Sequence, residues 1–294
     1  MKKTILLLFF IAAHASCASA QTDSIFAAFH YAISHKPEYD KLKEKRIASL
    51  KKVLSSDLSL QEEYGCHKKL YQEYRKFKVD SAIYYVKKNQ RIASLLKNKN
   101  LEDIAELQLA NLYSSSGKYL ESEAILKKFD KKAVSRELLS MYYEVYGQFL
   151  EHYATSTYNG QYVPKIEAYR DSLLATLNPS SVKYKINQAQ QNIFNGNMEI
   201  AQKDLLQLFK TAKQKDQDFA MAAYLIGLTY KIQGNPELER KYYVLSATAD
   251  IKNSTKDNAS VQNLALIYYE SGDIDSAYRC LLYTSPSPRD KRQS

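Results

Sequence analysis

Residues 223 to 245 read AYLIGLTYKIQGNPELERKYYVL. Ile226 is followed by a small residue, Gly227, and Tyr230 stands three positions further on, on the same face of a helix. A small residue at that point lets a second helix approach closely, and the aromatic beside it fills the remaining space. Gly234 then ends the helix, because the turn needs a left-handed residue. An amphipathic second helix follows. The stretch therefore reads as one helical hairpin.

The same pattern recurs along the chain. NQAQQNIFNGNMEIAQKDLLQLF (187–209) and QNLALIYYESGDIDSAYRCLL (262–282) place Gly196 and Gly272 at 38-residue intervals on either side of Gly234. ELQLANLYSSSGKYLESEAILKKF (106–129) aligns on Gly117, which lies 79 residues before Gly196. The small residues are Ala110, Gly227 and Ala265, with Tyr113, Tyr230 and Tyr268 three positions later; the unit around Gly196 departs by having Asn192 in place of the Tyr. Two second helices carry their own small residue (Ala201, Ala277) with a large apolar one four later (Leu205, Leu281). Regular self-similarity of this length is the signature of a repeat architecture.

Upstream, the segment from Leu60 to Leu96 reads as two helices breaking near Phe77, with Asp80-Ser81-Ala82 in phase with Asp275-Ser276-Ala277. ELLSMYYEVYGQFLEHYATSTYNGQYVPKIEAYRDSLLATL is a further pair, expected to have a long loop around Asn159, Gly160 and Pro164. A leading helical segment, broken at Pro37, precedes them. These repeats resemble tetratricopeptide repeats, with a period somewhat above the usual length of about 34. The expected fold is all-α: about five helical hairpins stacked into a right-handed superhelix, each touching mainly its neighbours. Only 8 Gly and 6 Pro among 294 residues argue against an all-β fold, which needs many tight turns.

The first twenty residues read as a signal peptide. Lys2 and Lys3 precede an apolar run from Thr4 to Ala13, and Ala18-Ser19-Ala20 forms a small-x-small cleavage site before Gln21. The run is shorter than the roughly 20 residues that span a bilayer. The alternative is lipidation at Cys17, although His14 stands where a lipid-attachment motif prefers an aliphatic residue. Both routes export the chain. The other cysteines are Cys66 and Cys280, so no internal disulfide framework is expected, and Cys66 reads as a buried thiol.

The formal net charge of +10 shrinks once the signal lysines and Arg289, Asp290, Lys291 and Arg292 are set aside, leaving 37 basic against 31 acidic residues. Lys and Glu are interleaved, as on a solvated surface, and no basic-aromatic motif points to direct nucleic-acid contact. No zinc-protease helix, paired-Cys metal spacing, nucleophile elbow or phosphate-binding loop is present. No enzyme activity, metal or cofactor is expected. Cys66-His67 is an adjacent thiol–imidazole pair, but neighbours on a helix point about 100° apart and do not form a catalytic contact. Paired tyrosines such as Tyr84-Tyr85 and Tyr242-Tyr243 fit one ring between helices and one at the rim.

The concave face of such a solenoid is lined by first helices and binds partners. In the repeat register its inward positions are Asn111, Ser114, Gln190, Phe194, Tyr224, Lys231, Gln262 and Tyr269. That mix of aromatic and amide groups suits a peptide, a protein segment or a glycan.

Three stretches carry a closer resemblance: LYQEYRKFKVDSAIYYVKKNQRIA, EAYRDSLLATLNPSS, and ATADIKNSTKDNASVQNLALIYYESGDIDSAYR. They resemble a family of exported tetratricopeptide-repeat proteins of the Bacteroidota, classed as a domain of unknown function and labelled transcriptional regulators. The resemblance implies a periplasmic sensor half, followed in the family by a single transmembrane helix, a cytoplasmic coiled coil and a segment acting on transcription. Membrane anchoring is then expected only through that downstream region or a lipidated Cys17. The alternative is an envelope scaffold or glycan-capture lipoprotein with no signalling output.

The ending CLLYTSPSPRD, eleven residues from Cys280, resembles a translated sequencing-library adapter. The expected organisation is a signal peptide (1–20), an N-terminal helical segment (21–58), repeats over 59–279 with the last truncated, and an adapter-derived tail (280–294).

Overall fold

The computed structural model describes residues 24–284 except 133, 214–216 and 257–258. The signal region, Cys17 and the tail beyond Thr284 lie outside the described residues. Every regular element among those described is helical. The chain forms two compact units, and the boundary falls inside a helix, between Asp40 and Lys41. Residues 41–197 make a central unit; residues 24–40 join 198–284 in a terminal unit. The segment read as one N-terminal element, 21–58, is thus divided between them.

The central unit holds most of α2 (Lys36–Val53), then α3 (Leu60–Tyr74), α4 (Val79–Leu95), α5 (Lys99–Ser115), α6 (Tyr119–Lys128), α7 (Arg136–Thr157), α8 (Val163–Thr176) and α9 (Val182–Phe194). Helices α3 and α4, α5 and α6, and α7 and α8 pack as antiparallel pairs, with α4 also against α5 and α5 against α7. Four first helices start on a side-chain cap: Ser59, Asn98, Ser135 and Ser181 each accept a hydrogen bond from the N–H three residues on. Such caps satisfy a donor that the helix leaves open. The long loop expected around Pro164 shrinks to 158–162, because Pro164 sits in the first turn of α8, where its missing N–H costs nothing.

The terminal unit holds α1 (24–34), α10 (Met198–Thr211), α11 (Gln217–Ile232), α12 (Pro236–Lys252), α13 (Ala259–Glu270) and α14 (Ile274–Thr284). Here α11 pairs with α12 and α13 with α14. Helix α1 lays Phe29 and Ala32, both fully buried, into a core with Tyr243, Val244, Ala247 and Ile251 of α12 and Leu264 and Tyr268 of α13. The guanidinium of Arg240 lies 4.3 Å from the centroid of Phe26 and 4.9 Å from that of Tyr268, linking the three helices.

The four repeat glycines have φ between 69° and 82°. In each turn the following residue donates its N–H to a carbonyl five positions back: Lys118 to Tyr113, Asn197 to Asn192, Asn235 to Tyr230, Asp273 to Tyr268. This is the bond that closes a Schellman cap. The small residues also behave as read, with Ala82, Ala110 and Ala201 fully buried and Ala277 nearly so. Leu281 does not fill the position assigned to it: it is half exposed, and Cys280, 1 % exposed, takes the inward place.

Candidate functional site

Helices α3, α5 and α7 each turn one stripe, spaced three and four residues apart, toward a shared cavity of about 510 Å³ within the central unit. Helix α3 contributes Lys68, Tyr71, Gln72 and Arg75; α5 contributes Asn100, Ile104, Gln108 and Asn111; α7 contributes Met141, Glu144, Val145 and Gln148. All three are first helices of their hairpins, so this is the face a helical-repeat protein offers to partners. A cavity of about 70 Å³ shares Glu144 and Gln148 with the first and reaches Gln190 on α9. A third, of about 190 Å³, shares Arg170 with the second and ends at Phe194. The three cavities follow one another through these shared side chains, and the series is called the groove below.

Several groups in the groove are committed to one another. Asn111 donates its amide to Gln148 Oε1 at 2.5 Å, and Lys183 Nζ reaches Glu144 Oε2 at 2.6 Å. Arg170 pairs with Glu151 at 2.7 Å and stands 6.0 Å over the Phe194 ring. Burial raises the Tyr71 phenol, against the opposing pull of Arg75 beside it. Gln108 differs. It is only 6 % exposed, lines the cavity, and its amide makes no hydrogen bond among the described residues. Its amide atoms are not among the polar groups sealed from solvent without a partner, so they open onto the cavity.

Of the inward residues expected in this unit, Asn111, Gln190 and Phe194 line the groove. Ser114 does not: it is 1 % exposed, with its hydroxyl 2.5 Å from Nδ1 of His152, where α7 covers the end of α5. Sequence reasoning missed Lys68, Gln72, Arg75 and Glu144, because the turns after α3 and α7 carry no left-handed glycine to anchor the repeat register. It also missed Gln108, two residues before Ala110 in a repeat that was otherwise correctly phased.

In the terminal unit, Gln262 and Tyr269 are exposed on α13, Tyr269 by 67 %. On α11, Lys231 is exposed and donates to Asn263 at 3.1 Å, while Tyr224 is half-buried with its ring 5.7 Å from that of Tyr243. These four belong to a different unit from the groove.

The Cys66 thiol donates to the Leu50 carbonyl at 3.3 Å and is pushed up by burial, whereas His67 Nε2 faces Glu63 at 3.7 Å. The two side chains therefore serve different neighbours. Among the described residues no cluster of His, Cys, Asp or Glu is arranged to hold a metal, and no helix is long and apolar enough to cross a membrane.

Residues 33–285 match the family model described as SusR N-terminal TPR domain. The chain belongs to this family. No curated protein matches it. The SusR-type TPR assignment covers both units and agrees with the hairpin order of the helices. TPR domains generally mediate protein interactions.

Proposed function

We propose that the chain is the exported, ligand-reading portion of a larger membrane-anchored transcriptional regulator, and that its ligand lies in the groove of the central unit. Three features support this reading: an N-terminus patterned as a signal peptide, membership of a SusR-type TPR family, and a groove built from first helices. The observation that carries the binding site is the cavity itself, lined by one stripe from each of three first helices, with the Gln108 amide opening onto it. Binding energy comes from completing that amide and the exposed Gln72 and Asn100 around it. No chemical step is assigned to the site; its output is a change in the occupancy of the domain.

The test is a thermal-shift screen of peptides and glycans on the chain starting at Gln21, together with the sequence of the intact gene. A ligand that raises the melting temperature, and a transmembrane helix and coiled coil encoded downstream, are the expected results. A stop codon soon after the last repeat contradicts the regulator reading, and a screen without any stabilising ligand contradicts the groove.

A further inference from the structure

The outer side of α4 carries a second surface, separate from the groove. Helix α4 is the second helix of its hairpin, and Tyr84, Lys87, Lys88, Arg91 and Leu95 recur along it at three- and four-residue spacing. This stripe faces away from the buried Ala82, Val86 and Ala93. Tyr84 is 54 % and Leu95 58 % exposed, while Lys87 and Arg91 are exposed and make no hydrogen bond or ion pair among the described residues. Exposed apolar residues scattered singly need no explanation. Here they bracket three cations on one stripe.

Helix α2 adds to the charge. Glu44 reaches Lys78 at 3.2 Å, just before α4 begins. Seven residues on, the Lys51 ammonium lies 5.8 Å from the centroid of Tyr74, and the Tyr74 hydroxyl holds it above the ordinary lysine value, helped by Tyr85 and Tyr84. Tyr74 stacks on Tyr85 at 5.7 Å, and Tyr85 meets Tyr84 edge-on at 5.1 Å. At the other end Lys88 Nζ stands 5.5 Å over the Tyr84 ring. Three rings thus tie a lysine of α2 to a lysine of α4, and Tyr84 is the ring that reaches solvent. Lys52, exposed and next to Lys51, widens the cationic area.

Five cations, Lys51, Lys52, Lys87, Lys88 and Arg91, therefore flank one exposed ring and one exposed leucine. Most carboxylates nearby are engaged elsewhere. Glu44 holds Lys78, Glu62 caps Ser59, Glu63 faces His67 at 3.7 Å, and Glu102 accepts from the Ser94 hydroxyl at 2.7 Å. Asp80 lies at the start of α4, at the opposite end from Leu95, and Asp57 in the turn after α2.

We propose that this face rests on an anionic lipid surface, with the cations among the phosphates and Tyr84 and Leu95 at the boundary between headgroups and acyl chains. Clusters of about four to eight basic residues bind anionic leaflets, and lysine stems cross an apolar contact while leaving the ammonium among headgroups. A nucleic-acid backbone would satisfy the cations but has no place for Leu95, whereas a membrane interface takes charge and apolar surface together. The face belongs to a second helix, so a membrane lying on it leaves the first-helix groove open.

The experiment adds the chain from Gln21, free of the apolar run Thr4–Ala13, to vesicles of phosphatidylcholine alone or mixed with phosphatidylglycerol, and separately to a DNA duplex. Binding is read by flotation. Wild type is compared with Lys87→Glu/Arg91→Glu and with a charge-matched pair on the terminal unit, Lys203→Glu/Lys210→Glu, each shown to be folded by circular dichroism. The chain has no tryptophan, so Tyr84→Trp supplies a single fluorescent reporter on the face. Wild type should prefer the anionic vesicles by about tenfold or more; the α4 pair should lose about tenfold, and the terminal pair less than about twofold. The Tyr84→Trp emission should shift to the blue on anionic vesicles. Equal binding to neutral vesicles, equal loss in both charge pairs, or an unshifted reporter overturns the proposal. So does a chain that binds the duplex but no vesicle, or binds neither.

Discussion

Gly227 of α11 lies directly against the ring of Tyr243 of α12: a Cβ built on Gly227 would stand 2.7 Å from Cδ1 and Cε1 of that ring. Tyr243 is fully buried, so the ring has nowhere to move. Replacing Gly by Ala inside a helix ordinarily gains about 1 kcal/mol. Here overpacking, at about 1–3 kcal/mol, opposes and exceeds it. Gly227→Ala is therefore expected to lower the melting temperature. In a Tyr243→Leu background, where the ring is gone, the same substitution should become neutral or stabilising, and that reversal of sign in a double-mutant cycle is the check.

Three helix ends place a residue other than glycine in the left-handed region: Lys97 (φ 52°), Tyr158 (φ 50°) and Ser254 (φ 49°). Tyr158 is 96 % exposed, so its ring contributes no packing that substitution would forfeit. Tyr158→Gly is expected to stabilise the protein by about 1 kcal/mol, read from chemical denaturation. Gly117→Ala, at φ 78° in the equivalent turn, is expected to lose about as much.

Helix α1 is held by Phe29, which is fully buried among residues of α12 and α13. Phe29→Ala should cost about 3–5 kcal/mol in the unit it belongs to. Hydrogen exchange locates the loss. Protection should fall in α12 and α13, with α3 to α8 of the central unit much less affected.

Burial holds the imidazole of His152 below the ordinary histidine value, against the opposing pull of Glu151, and burial acts in the same direction on His67. The unfolded chain takes up a proton near pH 6.5, and the folded one only at lower pH. The stability these neutral groups contribute is thus present above about pH 6.5 and is lost as the pH falls through the folded value. Between about pH 7 and pH 5 the melting temperature should drop. His152→Gln should flatten that drop, and the double variant with His67→Gln should flatten it further.

Much of this architecture is written locally. The glycines at 117, 196, 234 and 272 announce their turns because a left-handed residue is most easily supplied by Gly, and Gly227 announces a close helix contact because it has no Cβ. What escaped the sequence is non-local or unmarked. Nothing near Phe29 shows that its partners lie beyond residue 240, since that contact depends on how the distant ends of the chain meet. The left-handed positions at Lys97, Tyr158 and Ser254 are not glycine, so the residue itself bears no mark of that conformation. Part of the groove was legible, because Asn111, Gln190 and Phe194 follow from the repeat register. Gln108 and the α3 stripe were not. Their exposure depends on the gap between first helices, which no single repeat encodes.

The most direct test of the groove as the binding site compares wild type with Gln108→Leu by thermal denaturation, with and without the ligand found by screening. Leucine is of similar size and breaks no hydrogen bond to the protein, so the variant alone should melt close to the wild-type temperature. It should also lose most of the stabilisation that the ligand confers on wild type. A variant that melts far below wild type, or one that is stabilised by the ligand as fully as wild type, would contradict the assignment.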